Sequence, residues 1–227
     1  MQQYDHLTAE TYAKVGITGT WACGFEEVAR VLGSIRDKNV LDYGSGTGRS
    51  ARFLTDLGAI VTGFDIDPDM VSKARLLHPE IEFCPLAQDG RIPADDQAYD
   101  FALSAFMHVM VSDGGILQKI ESEVYRVLKP CGKYITLTAS PEVWGQEYAS
   151  FLSTLPKEFS RRGGERVYVM LKEEPPIDGY DHFWSEEDHV GWLRSAGFSD
   201  IRITKPESKN DLSPMPPFMV IAARKER

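Results

Sequence analysis

The chain has 227 residues, 42% hydrophobic and 26% charged, which fits one globular domain with a full core and room for an insertion. A formal net charge of −9 argues against a surface built to neutralise phosphates, so DNA, ribosomal RNA and tRNA lose weight as substrates and no nucleic-acid partner is expected. Cys23, Cys84 and Cys131 are widely spaced and odd in number, and the opening MQQYDHLTAETYAKVG has no apolar run, so reduced thiols, no leader, no membrane span and a cytoplasmic location are the expectations.

In chain order, residues 1–24 are aromatic and polar, with Tyr4, His6, Tyr12 and Trp21. Thr8–Lys14 reads as a short helix and Phe25–Leu32 as a clearer one. Lying before the first strand, this segment is either a lid over a ligand, with Tyr12 or Trp21 beside it, or a plain cover for the sheet. Val40, Leu41 and Tyr43 read as a buried strand, followed by Gly44, Gly46 and Gly48 at alternate positions and then by a helix, Gly48–Leu57, stopped by Gly58. A strand that breaks into glycines and re-enters a helix makes a concave turn where a ligand can approach the backbone and meet free N–H groups. The spacing is not that of a dinucleotide fingerprint, because Arg49 stands where the third glycine belongs, and no Gly-Lys-Ser/Thr follows as in a phosphate loop.

Ile60–Phe64 is the second strand, ended by Asp65, roughly 20 positions after Gly44. That interval sets a carboxylate beside the glycine turn, where it can accept hydrogen bonds from both ribose hydroxyls of a nucleoside. Capping of the next helix is already supplied by Asp67-Pro68. Ile81–Cys84 is a third strand, and Asp100–Ser104 a fourth, apolar enough to be buried on both faces. Ser104, Ala105, Phe106 and His108 then fall just past its carboxyl end, facing the crevice where ligands of such sheets sit. Asp95 and Asp96 have no His or third carboxylate at ligand spacing, so no metal is expected. Ile116–Leu128 reads as an amphipathic helix and Tyr134–Thr138 as a fifth strand. Residues 140–180 are too long for an ordinary connection and read as an insertion, helical over Glu147–Leu155 and extended over Arg166–Leu171. Its Arg161, Arg162 and Arg166 either meet an anionic group or are simply solvated. A capping box at Ser185 opens the helix Glu186–Ser195, Gly197 closes it, and an alternating strand with Ile201 and Ile203 precedes a final strand, Phe218–Ala223.

The run L-D-Y-G-S-G-T-G, with Asp42 before the glycines and Asp65 at the second strand's end, resembles motif I of the class I S-adenosylmethionine (SAM)-dependent methyltransferases. The resemblance implies a doubly wound α/β, Rossmann-like sheet of seven strands with the last antiparallel, helices on both faces, an N-terminal helical lid and an insertion after strand 5. It divides one domain into a cap (1–35), a SAM-binding core (36–139), a substrate-pocket insertion (140–182) and a C-terminal helix and strand pair (183–227). It implies SAM as cofactor, held by Gly44, Ser45, Gly46, Asp65 and Ser104, with Ile66 and Met70 flanking the adenine or simply packing, and Tyr12 over the site. Counting back from Pro93, the family's adenine-contacting acid falls at Gln88 with Asp89 next to it, so either side chain could accept the exocyclic N–H; Asp89 alternatively belongs to a Gln-Asp-Gly turn. No Asn/Asp-Pro-Pro-aromatic follows the fourth strand, which argues against base methylation, and Cys131 stands in a turn where the family carries glycine. The implied activity is methyl transfer to an N or O acceptor on a small molecule, plausibly biosynthetic, by a monomer or homodimer. His108 is the leading candidate for a general base, against a packing role, and His182 the second. A protein or RNA methyltransferase, or a SAM-binding module without transfer activity, are the alternatives.

Overall fold

The computed structural model describes residues 9–208, 211 and 213–227. Seven strands form one mixed sheet: β1 (Asn39–Tyr43), β2 (Ile60–Asp65), β3 (Glu82–Pro85), β4 (Tyr99–Ala105), β5 (Leu128–Ala139), β9 (Ser199–Thr204) and β10 (Phe218–Arg224). Their order is β3-β2-β1-β4-β5-β10-β9, and β10 runs antiparallel to both neighbours. The order reverses between β1 and β4, where ligands of open α/β sheets bind beyond the strand ends.

Alternation along the buried strands divides the core into two layers. On one face Val40, Leu103 and Ile135 pack with Phe25, Val28 and Leu32 of α2 (Thr20–Leu32), Ala51 and Leu54 of α3 (Arg49–Asp56), and Val71 and Ala74 of α4 (Pro68–Leu77). On the other, Leu41, Tyr43, Ala102 and Tyr134 pack with α5 (Gly114–Val127) and with Leu193 of α6 (Glu186–Ala196). Helices therefore cover both faces. A short α1 (Ala9–Tyr12) precedes α2.

Helix signals were legible at both ends of several elements. Asp67 accepts from the Asp69 N–H at 2.9 Å with Pro68 inside the first turn, and Ser185 and Asp188 complete a reciprocal capping box closed by a left-handed Gly197. Cys131 lies exposed where β5 bulges between its pairings to Tyr99 and Phe101, with a left-handed φ of 65°, which accounts for a turn position where glycine is favoured.

The insertion departs from expectation. Glu147–Leu155 is not a helix: Glu147 bridges Leu152 across a tight hairpin, and β6 (Phe151–Thr154), β7 (Arg166–Leu171) and β8 (Ile177–His182) form a separate antiparallel sheet. The apolar spacing of Tyr148, Phe151, Leu152 and Leu155 suits a helix, but the partner strand β7 captures the segment and buries Phe151 and Ser153 on alternate positions. The hairpin also caps α2. Ser150 Oγ accepts from the Thr20 N–H at 3.0 Å, and Thr20 Oγ1 accepts from the Ser150 N–H at 3.2 Å, fixing the insertion to the helix that flanks the crevice.

Candidate active site

The glycine turn closes against the end of β2. Gly44 and Ser45 both donate their N–H to the Phe64 carbonyl, at 2.8 and 3.0 Å. Gly44 and Gly46 take positive φ, +72° and +53°, a conformation that costs other residues about 1–2 kcal/mol. The space above them is also narrow: a Cβ on Gly44 would stand 2.8 Å from Met107 Cγ, and one on Gly46 3.1 Å from the Tyr12 ring.

Asp65 points into this bend. One carboxylate oxygen accepts the Gly46 N–H at 2.8 Å and the other the Asp67 N–H at 2.9 Å. Burial pushes its carboxyl above the usual carboxylate range, and these two N–H bonds oppose the shift. Each oxygen keeps lone pairs for further donors. Ser45 Oγ, buried without a hydrogen-bond partner among the described residues, lies against Gly63 of β2, where a Cβ would stand 2.9 Å from it. A cradle without Cβ atoms and a carboxylate aimed at it together fit a nucleoside carrying a polar tail.

Other expected residues are distributed less evenly. Met70 is buried and Ile66 half-buried at the start of α4. Gln88 and Asp89 are both exposed in the loop after β3. Asp89 accepts the Arg91 N–H at 3.1 Å, the local turn role, while the Tyr43 hydroxyl donates to the Gly90 carbonyl at 3.2 Å and ties this loop to β1. Ser104 is fully buried, its hydroxyl against that of Tyr134 in the layer beneath α5 and α6. It is not turned to the glycine bend.

His108 is likewise turned away. Phe106 takes a left-handed φ of +60°, and the chain then enters a short 3-10 turn, His108–Met110, that carries the imidazole toward α5 and α6. The ring is fully buried, with Nε2 at 2.9 Å from Glu121 Oε1 in a contact that lacks good hydrogen-bond alignment, and it lies 5.0 Å from the His189 ring. Burial, then the neighbouring His108, hold His189 well below the usual histidine range. This is a packing cluster, not an open base. His182 is also spoken for: Nδ1 meets the Val109 carbonyl at 3.0 Å, and burial lowers its pKa. Arg161, Arg162 and Arg166 are exposed, with Arg162 on Ser160 and Arg166 over the Tyr180 ring at 3.9 Å, so they are solvated and do not converge. Tyr4 and His6 lie outside the described residues.

Past β4 lies an aromatic cluster, buried except for the half-buried Phe106. Phe106 packs edge-on against Trp21 at 5.1 Å and Phe218 at 4.9 Å, and Trp21 stacks with Phe151 and Phe218, both at 5.3 Å. Trp21 and Phe106 were legible by position. Phe151 and Phe218 were not, because a hairpin and the last strand deliver them from distant sequence.

Residues 40–132 match a family model described as a methyltransferase domain. The chain is 35% identical over 179 residues to a demethylmenaquinone methyltransferase of Tropheryma whipplei, covering 75% of this chain and 70% of that protein. The chain belongs to the class I SAM-dependent methyltransferases. It is also 29% identical over 182 residues to a ubiquinone/menaquinone biosynthesis C-methyltransferase, UbiE, of Rickettsia bellii, covering 73% and 70% of the two chains. A solved structure described as a putative S-adenosylmethionine-dependent methyltransferase from Listeria monocytogenes shares the fold, with a TM-score of 0.64 at 19% identity over 91% of this chain and 99% of that one. The cofactor of this methyltransferase is SAM, whose sulfonium supplies a methyl group already activated for displacement.

Proposed function

We propose that this methyltransferase transfers its methyl group to a ring carbon of a small, electron-rich aromatic acceptor of the quinol type. The observation that carries this reading is Phe106, half-buried just past β4 and backed edge-on by the buried rings of Trp21 and Phe218, an apolar face at the end of β4 suited to a flat acceptor. The names of the relatives, demethylmenaquinone methyltransferase and C-methyltransferase, support it. Quinol-type carbon replaces the N or O acceptor expected from the sequence.

In this reading Gly44–Gly46 receive the amino-acid tail of SAM and Asp65 accepts from the ribose hydroxyls. Gln88 takes the exocyclic adenine N–H, since one Asp89 oxygen already serves its own turn. Positioning of donor and acceptor contributes most of the acceleration, roughly 7–11 kcal/mol for well-oriented partners. A quinol hydroxyl would give up its proton to solvent to form the activating oxyanion, the ring carbon would take the methyl as the carbon–sulfur bond breaks, and the ring C–H proton would then leave to solvent as aromaticity returns, so the buried His108 takes no part.

The test offers the purified protein SAM with a 2-unsubstituted naphthoquinol, a catechol and a primary amine in parallel, and locates the new methyl by mass spectrometry and NMR. The expected product is C-methylated naphthoquinol. Transfer to nitrogen or oxygen alone would refute the reading.

A further inference from the structure

In sequence Arg49 stands where a dinucleotide fingerprint would carry its third glycine. In the fold it opens α3 directly after the glycine turn, and its guanidinium carbon lies among four rings: Trp21 at 5.4 Å, Tyr12 at 5.5 Å, Phe25 at 5.7 Å and Phe106 at 5.8 Å. Ring faces favour the positive charge but accept no in-plane N–H bonds. Among the described residues Nη1 is buried without a hydrogen-bond partner, and at Nη2 stands the Tyr12 hydroxyl, 3.4 Å away. An orphaned donor of a charged group is costly to bury, so the arrangement is incomplete as it stands. Asp42 accepts from Ser50 Oγ at 2.7 Å and feels Arg49 only through space.

We propose that Arg49 binds the α-carboxylate of the cofactor's amino-acid tail, with the Tyr12 hydroxyl closing over the same group. The proposal rests on SAM as the cofactor and adds the residue that reads its charged end. A guanidinium presents a planar fork of donors that matches two carboxylate oxygens. The location fits as well. The nucleoside end belongs at Asp65, whose carboxylate already touches Gly46, and the Tyr12 ring lies close to Gly46 with its hydroxyl at Arg49. A tail running from Asp65 along the bend arrives at the caged guanidinium. An acceptor oxyanion is the other possible occupant of the fork, and the measurement below separates the two.

Calorimetric titration of the full chain compares S-adenosylhomocysteine with 5′-methylthioadenosine, which has the same nucleoside and thioether but no amino-acid tail. Arg49→Gln should weaken S-adenosylhomocysteine by about 10- to 100-fold and leave methylthioadenosine within about twofold of wild type. Arg49→Lys should fall between, and Tyr12→Phe should show a smaller loss confined to the same ligand. Equal losses for both ligands would make Arg49 merely structural and overturn the proposal. So would unchanged S-adenosylhomocysteine affinity, including the case in which only the acceptor KM rises, which would hand the fork to the acceptor. A melting curve accompanies each variant; if Arg49→Gln does not fold, the ratio of the two affinities in Arg49→Lys decides by the same criteria. Failure of the wild type to bind S-adenosylhomocysteine would sink the cofactor assignment itself, a result distinct from any of these.

Discussion

Replacing Asp42 with Asn should stabilise the protein in mild alkali and do nothing in acid. Asp42 is completely buried in β1, and its carboxyl is pushed up from 3.8 to about 7, chiefly by burial, with Asp65 adding to the shift and the Ser50 hydroxyl opposing it. A carboxyl raised in the folded state keeps its proton there while the unfolded chain has already lost it. Folding is therefore unpenalised below about pH 4 and loses stability as pH climbs through about 7. A shift of roughly three units at 1.4 kcal/mol each makes the full penalty about 4 kcal/mol above pH 8. Asn carries no charge and can still accept from Ser50 Oγ, so it escapes that penalty. Urea unfolding followed by fluorescence from pH 4 to 9 gives the stability at each pH directly. The difference between variant and wild type should be near zero at pH 4, open between pH 5 and 7, and level off near 4 kcal/mol. A difference flat across the range, or a variant weaker than wild type at pH 8, would refute the reasoning.

Gly44→Ala should cost about 1–2 kcal/mol of stability from its left-handed backbone, more if Met107 does not move aside, and should weaken S-adenosylhomocysteine in the same protein; denaturant titration and calorimetry measure the two effects. His108→Asn should lower stability by about 1–3 kcal/mol by leaving Glu121 buried without its partner. The shape of the kcat/KM pH profile should not change, because the ring serves packing; loss of a titrating limb would restore His108 as a base.

The glycine turn and Asp65 were legible because each rests on local chemistry: glycines where φ must be positive, and a carboxylate one strand–helix–strand interval later. The capping residues Asp67 and Ser185 were legible for the same reason. His108 was correctly placed at the end of β4, yet its direction is fixed by the left-handed Phe106, an aromatic residue in a conformation that sequence does not announce. Ser104 faces Tyr134 because one step of strand alternation decides the layer, and a single-sequence reading does not settle that register. The helical periodicity of Glu147–Leu155 lost to strand pairing with β7, a tertiary competitor invisible within the segment. Arg49 was missed for the opposite reason. Its significance comes from rings on α1, α2 and the β4 end, assembled only in the fold.

In the proposed reading Asp65 is the group that grips the ribose of SAM. Calorimetric titration of Asp65→Ala with S-adenosylhomocysteine, on protein whose melting curve shows it folded, should find affinity lowered by about 100-fold or more, the loss of two hydrogen bonds to a charged acceptor. Affinity retained within a few-fold of wild type would contradict it.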